Sequence, residues 1–246
     1  MRHVLTRLSV VLLFCGLGFA RQTDAAPTAT APLLVMSEAK EVQVFGIMYP
    51  SRFNAAQGDE AHYHLLVWQG GTSANALIET PADDLALHDA LARLGAQPGN
   101  NLTMASWNQR HDAQSTAPLE RVTGSMLEVR IAWEDKPAGI PIDQLFRQSP
   151  ISNSQSAIRF GPDSPLAMQS AIAWRFAGNR DRWFNHIPLA SRPGCLICLY
   201  SCPSGKVGNS ALSIHDYVAS PPRFMANTAI LPPDGTPVIV TFRVQP

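Results

Sequence analysis

The sequence predicts an α+β fold, mostly β, with antiparallel sheets and one clear three-turn helix packed on a sheet. Three observations predict it. Met126–Trp133 and Thr236–Val244 alternate apolar and polar residues with the period of a half-buried strand. Leu87, Leu91 and Leu94 recur at helical spacing and are followed by Gly95, a helix stop. The 20 prolines and 16 glycines supply turns without making the chain low in complexity.

Taken in order, Glu41–Met48 (EVQVFGIM) is the first expected strand and Ala61–Gln69 (AHYHLLVWQ) the second. In the second, His62, His64, Leu66 and Trp68 share one face. Gly70-Gly71 breaks it, and Ala74–Thr80 follows at hairpin distance as a third strand. The helix is expected over Pro81–Leu94, with Thr80 as N-cap, Pro81 at the first helical position and Asp83 where a capping-box acid belongs. Ile172–Phe176 and Cys195–Tyr200 are shorter strand candidates. Arg147–Pro165 is polar and turn-rich, and is expected to be a long surface loop.

The N-terminus has the build of an export signal. Arg2, His3 and Arg7 precede the apolar run Leu8–Phe19, which is short for a membrane span, and small residues follow at Ala20. Bulky Phe14 before Cys15 argues against a lipoprotein site. The expected organisation is a signal peptide over residues 1–20, a disordered leader over 21–40 and a single β-rich domain over 41–246. The expected location is periplasmic or secreted, with no membrane span once the signal is removed.

A formal net charge of zero argues against a nucleic acid or anionic membrane held by bulk charge. No G-x-S-x-G, H-E-x-x-H or Rossmann glycine run is present, so the sequence points to a binding or transfer protein rather than an enzyme. Gly205-Lys206 is not a phosphate loop, because Tyr200 and Val207 stand where glycine and Ser/Thr are needed.

The chemistry concentrates in GCLICLYSCPSGKVGN, Gly194–Asn209. Removing the signal leaves three cysteines, Cys195, Cys198 and Cys202, spaced C-x2-C-x3-C and followed by Pro203. An odd number in an exported chain implies a metal site, a free thiol or an intermolecular bridge. A disulfide inside so short a loop restrains little chain. Three thiolates can instead converge on a metal or an iron–sulfur cluster, with His186 or His215 as a fourth ligand. A local disulfide and reactive thiols stay open as alternatives. A possible partner is a redox or metal-transfer protein. On a straight strand Cys195 and Cys198 would face opposite ways, so the sulfurs meet only if the chain bends. His62 and His64 form an H-x-H pair, more often decoration than a ligand set, and His111 lies in a polar loop.

Asn75–Gly99, the strand MLEVRIAWED, the segment CLICLYSCPSGKVGN and the ending LPPDGTPVIVTFRV together resemble the YdjY-domain family of bacterial proteins. The resemblance runs from about residue 40 to the end. It implies an exported protein without an established reaction, and some members are described as ferredoxin-like and 4Fe–4S-binding. By that resemblance the candidate ligands are Cys195, Cys198 and Cys202. The missing fourth cysteine departs from a standard cubane.

Overall fold

The computed structural model describes residues 25–56, 64–148, 172–178, 192–219 and 224–246. The expected signal peptide, His62, His186 and nearly all of the expected loop Arg147–Pro165 lie outside these residues.

The strands are β1 (Leu33–Met36), β2 (Glu41–Met48), β3 (His64–Trp68), β4 (Ile78–Thr80), β5 (Met126–Trp133), β6 (Lys136–Pro141), β7 (Phe146–Gln148), β8 (Trp174–Phe176), β9 (Cys195–Cys198), β10 (Val207–Asn209), β11 (Phe224–Ala226) and β12 (Thr236–Val244). Short helices interrupt them: α1 (Pro50–Ala55), α2 (Asp84–Arg93), α3 (Met104–Asn108) and α4 (Ile214–Ala219). β1 lies within the stretch expected to be a disordered leader, and its four residues pair with Glu41–Val44 of β2.

The expected antiparallel sheet with a packed helix is not the architecture that forms. The strands run β2-β12-β5-β8-β10-β9-β3-β4, and β4 pairs back onto β2, which closes an eight-stranded mixed barrel. β1 adds to β2 beside the seam and β6 adds to β5, giving ten strands in the sheet. β7 and β11 form a separate pair. Closure removes most exposed strand edges, whereas an open sheet would leave two.

The alternating strands fill the interior. β12 lies between β2 and β5, and its register aligns their buried residues in layers. Val240 faces Val44 on one side and Ile131 on the other, and Phe242 faces Val42 and Val129. All six are buried. Side chains therefore pack the centre of this small barrel.

Two further expectations change. β3 and β4 are not a hairpin: they are parallel, with Leu66 opposite Ile78 and Trp68 opposite Thr80. The connection between them runs beside Arg192–Gly194, held there by the hydrogen bonds Thr72 N–H to Arg192 O (2.8 Å) and Ser73 N–H to Pro193 O (3.0 Å). The helix begins later than Pro81. Asp83 is its N-cap, accepting from Leu85 N–H at 2.7 Å, while Thr80 ends β4 and its hydroxyl accepts from Ala82 N–H at 2.9 Å. Leu87 and Leu91 are fully buried, and Gly95 ends the helix at φ +91°. β9 and β10 are also parallel, joined by the bend that carries Cys202.

Candidate metal and thiol site

β9 lies between β3 and β10, and its pairing with β3 is irregular in both strands. Val67 faces Cys195 and Leu66 faces Ile197, so Leu196 is an extra residue on β9. Leu66 faces Ile197 and His64 faces Cys198, so Leu65 is an extra residue on β3. Each bulge shifts the side-chain alternation by one residue. Cys195 and Cys198, which a regular strand would set on opposite faces, are thereby brought to one point. His64 Nδ1 and the two sulfurs all lie within 4.8 Å of one another. The bend between Cys198 and Cys202 is not what unites this pair.

Cys195 Sγ is 3.3 Å from His64 Nδ1 and 3.1 Å from Ser73 Oγ. Cys198 links Cys195 to Cys202 by side-chain hydrogen bonding. Cys202 accepts from Ser204 N–H at 3.3 Å and lies outside the set of mutually close donors. All three cysteines are buried and outside any disulfide, whereas His64 and Ser73 are partly exposed. The two partly exposed groups both contact the buried Cys195 sulfur.

The two central thiols are driven apart in acidity. Hydrogen bonding from Cys198 holds Cys195 well below the ordinary thiol value despite burial, and the charge of His64 and the hydroxyl of Ser73 add to this. Burial raises Cys198 well above that value, reinforced by its hydrogen bonds to Cys195 and Cys202. The surroundings thus favour the thiolate form at Cys195, beside the imidazole, and the protonated form at Cys198.

His215, a candidate ligand, is exposed on α4 and His111 is exposed in its loop; neither joins the cluster. His186 lies outside the described residues. His64, half of the H-x-H pair, is the imidazole that meets the sulfurs. Ser73 is a site residue that sequence reasoning missed, because its place depends on the parallel path from β3 to β4. Among the described residues, no helix is long and apolar enough to cross a membrane.

Fold and site together define a closed mixed β-barrel with a cluster of buried thiols and a partly exposed imidazole on adjacent strands. The sequence profile of the YdjY domain matches residues 33–243, and the chain belongs to that family. It is 26% identical over 190 residues to the uncharacterized protein YdjY of Escherichia coli (strain K12), across 76% of this chain and 68% of that protein. No solved structure matches it.

Proposed function

We propose that this protein is an exported carrier of one thiophilic metal ion, Zn²⁺ or Cu⁺, held by His64, Cys195 and Cys198 with Cys202 as an adjacent donor. The observation that carries the reading is the spacing of the three donor atoms, all within 4.8 Å of one another. Two thiolates each about 2.3 Å from one ion lie no more than about 4.6 Å apart, and the observed bound is close to that, so a shift of about 0.2 Å would seat a single ion. An iron–sulfur cluster sets its ligands around several metal atoms and needs a wider frame. Thiolate and imidazole donors without a carboxylate favour Zn²⁺ or Cu⁺ over harder ions. The bound cation would also offset the charge of thiolates buried away from water. Export is supported by the basic and apolar N-terminal segment, and transfer to a partner protein by the partly exposed edge at His64 and Ser73.

The test is anaerobic purification, metal analysis, and competition titration with Zn²⁺ and with Cu⁺. The proposal expects one ion per chain, with Cys195→Ser and His64→Ala each weakening binding at least tenfold. The two titrations identify the ion. Equal binding by wild type and both variants, or acid-labile sulfide with iron absorption, overturns it.

The opposed acidities of Cys195 and Cys198 favour a second reading, thiol–disulfide exchange. In it the Cys195 thiolate attacks a partner's disulfide, forming a mixed disulfide and releasing one partner sulfur as a thiolate; a neighbouring thiolate then attacks Cys195 Sγ, releasing the partner's second sulfur and closing an intrachain disulfide. Exchange activity in metal-free protein, lost in Cys195→Ser, would select this reading.

A further inference from the structure

A buried charge cluster lies at the start of α2, and no residue of the proposed ligand set belongs to it. Asp84 is 1% exposed and Lys206 is fully buried, with Lys206 Nζ 3.1 Å from Asp84 Oδ2. Arg192 is 4% exposed; its guanidinium is 2.7 Å from Asp83 Oδ2 and 3.3 Å from Asp84 Oδ1. The second of these is a charge contact without hydrogen-bond geometry.

Such a cluster is not needed to stabilise a core. Desolvating two charges costs about as much as their attraction returns, and an apolar pair of similar volume often does as well or better. Nor is Asp84 needed to cap α2, since Asp83 performs that task. The cluster is placed, however, where it fixes geometry. Arg192 immediately precedes Pro193-Gly194-Cys195, and Lys206 follows Cys202 across the bend, so Asp84 contacts both ends of the cysteine segment.

Each end is tied in turn to the sulfurs. Lys206 N–H donates to Cys195 O at 3.2 Å, and Lys206 Nζ donates to Ser204 O at 3.3 Å, within the bend that holds Cys202. Arg192 O accepts from Thr72 N–H at 2.8 Å, and the next residue, Ser73, places its hydroxyl 3.1 Å from Cys195 Sγ.

We infer that Asp84 is the positioning residue of the thiol site: through Lys206 and Arg192 it pins both ends of the cysteine segment, keeping His64, Cys195 and Cys198 within reach of one ion. The inference rests on the single-ion reading of that cluster. Groups that orient metal ligands from behind typically contribute about 10- to 100-fold in affinity.

The test compares wild type with two variants. Asp84→Leu with Lys206→Met removes the buried pair together and leaves Arg192 with Asp83. Arg192→Lys keeps the charge but shortens the reach and loses the planar guanidinium, whose Nη2 touches both aspartates. Co²⁺ is the probe, because its visible spectrum reports ligand geometry as well as occupancy. The double variant is expected to melt near wild type, bind Co²⁺ at least tenfold more weakly and show an altered spectrum. Arg192→Lys is expected to lose several-fold, and it decides the matter if the double variant does not fold. Wild-type affinity and spectrum in a folded variant overturn the inference.

Amide hydrogen exchange separates its failure from that of the metal reading. If wild type binds neither Co²⁺ nor Zn²⁺, the metal reading fails. The clamp then stands only if exchange across Cys195–Lys206 accelerates at least tenfold in a folded variant while the β2–β12 amides stay unchanged. Unchanged exchange in that segment overturns the clamp.

Discussion

His64 on β3 and Cys195 on β9 meet at 3.3 Å, Nδ1 to Sγ, although 131 positions separate them in the chain. The contact joins two strands that each carry a bulge, and it makes His64 part of what lowers the Cys195 pKa. In the metal-free protein the ultraviolet thiolate absorbance should therefore rise in separate steps with pH. The first step, from Cys195, should fall below the ordinary thiol range, and the Cys198 step should fall above it. His64→Asn removes a nearby positive charge and should move the first step upward. At any pH below that step, raising the thiol pKa by one lowers the thiolate population about tenfold. A first step at the same pH in the variant would show that His64 does not act on Cys195.

The opposed acidities also set opposite pH dependences of stability. Cys195 is depressed, so its contribution is present above the unfolded thiol pKa and is lost as pH falls through its lowered folded value. Cys198 is raised, so its contribution is present below the unfolded thiol pKa and is lost as pH rises through its folded value. Cys198→Ala removes the second dependence. In metal-free protein it should lessen the loss of stability at alkaline pH, measured as the urea midpoint across the thiol range. An unchanged alkaline loss would place its origin elsewhere.

If the thiols oxidise, Cys198 and Cys202 should pair rather than Cys195 and Cys198. A disulfide needs its Cα atoms within about 7 Å. Cys195 and Cys198 bound a four-residue strand, where three steps of about 3.3 Å span roughly 10 Å before the bulge shortens it. Cys202 lies past the end of β9, where the bend returns toward Cys198. Diamide oxidation of metal-free protein followed by peptide mapping should recover the Cys198–Cys202 bridge. A dominant Cys195–Cys198 bridge would mean that β9 opens more readily than its pairing on both edges implies.

The sequence exposed the parts of this molecule whose causes are local. β5 and β12 occupy the spans their alternation indicated and β2 the span expected of the first strand, because each has one face in the barrel and one outside. The leucine face of α2 was visible for the same reason. Closure was not visible, because the β2–β4 pairing is a fact about two edges far apart in sequence. The cysteines were visible as a cluster, but the extra residues Leu65 and Leu196 are ordinary strand formers. Nothing in their identity marks the bulges that let His64, Cys195 and Cys198 converge. Ser73 and Asp84 join the site only through the path of the chain between β3 and β9.

Gly205 is a small residue that the site requires. A Cβ there would lie 3.1 Å from Cys198 Sγ and 3.1 Å from Val207 O. Gly205→Ala should push Cys198 or the start of β10 away, at a cost of about 1–3 kcal/mol for overpacking a tight core. Metal competition should show a larger proportional loss than a surface glycine replacement such as Gly235→Ala, whose site has open space but a φ of +88°. Full metal affinity in Gly205→Ala would show that the bend yields without disturbing Cys198.

Barrel closure can be tested at Gly46 and Ile78. A Cβ on Gly46 would lie 2.6 Å from Ile78 Cγ2 and 3.1 Å from Glu79 O, at the place where β4 returns to β2. Gly46→Ala should therefore wedge the seam, costing about 1–3 kcal/mol in urea unfolding. Ile78→Ala leaves a cavity at a fully buried position, costing about 2–5 kcal/mol. The added methyl and the removed side chain compete for one space, so the double variant should be less destabilised than the sum by roughly 0.5–3 kcal/mol. Strict additivity would mean that the two strands separate at the seam instead of sharing that space.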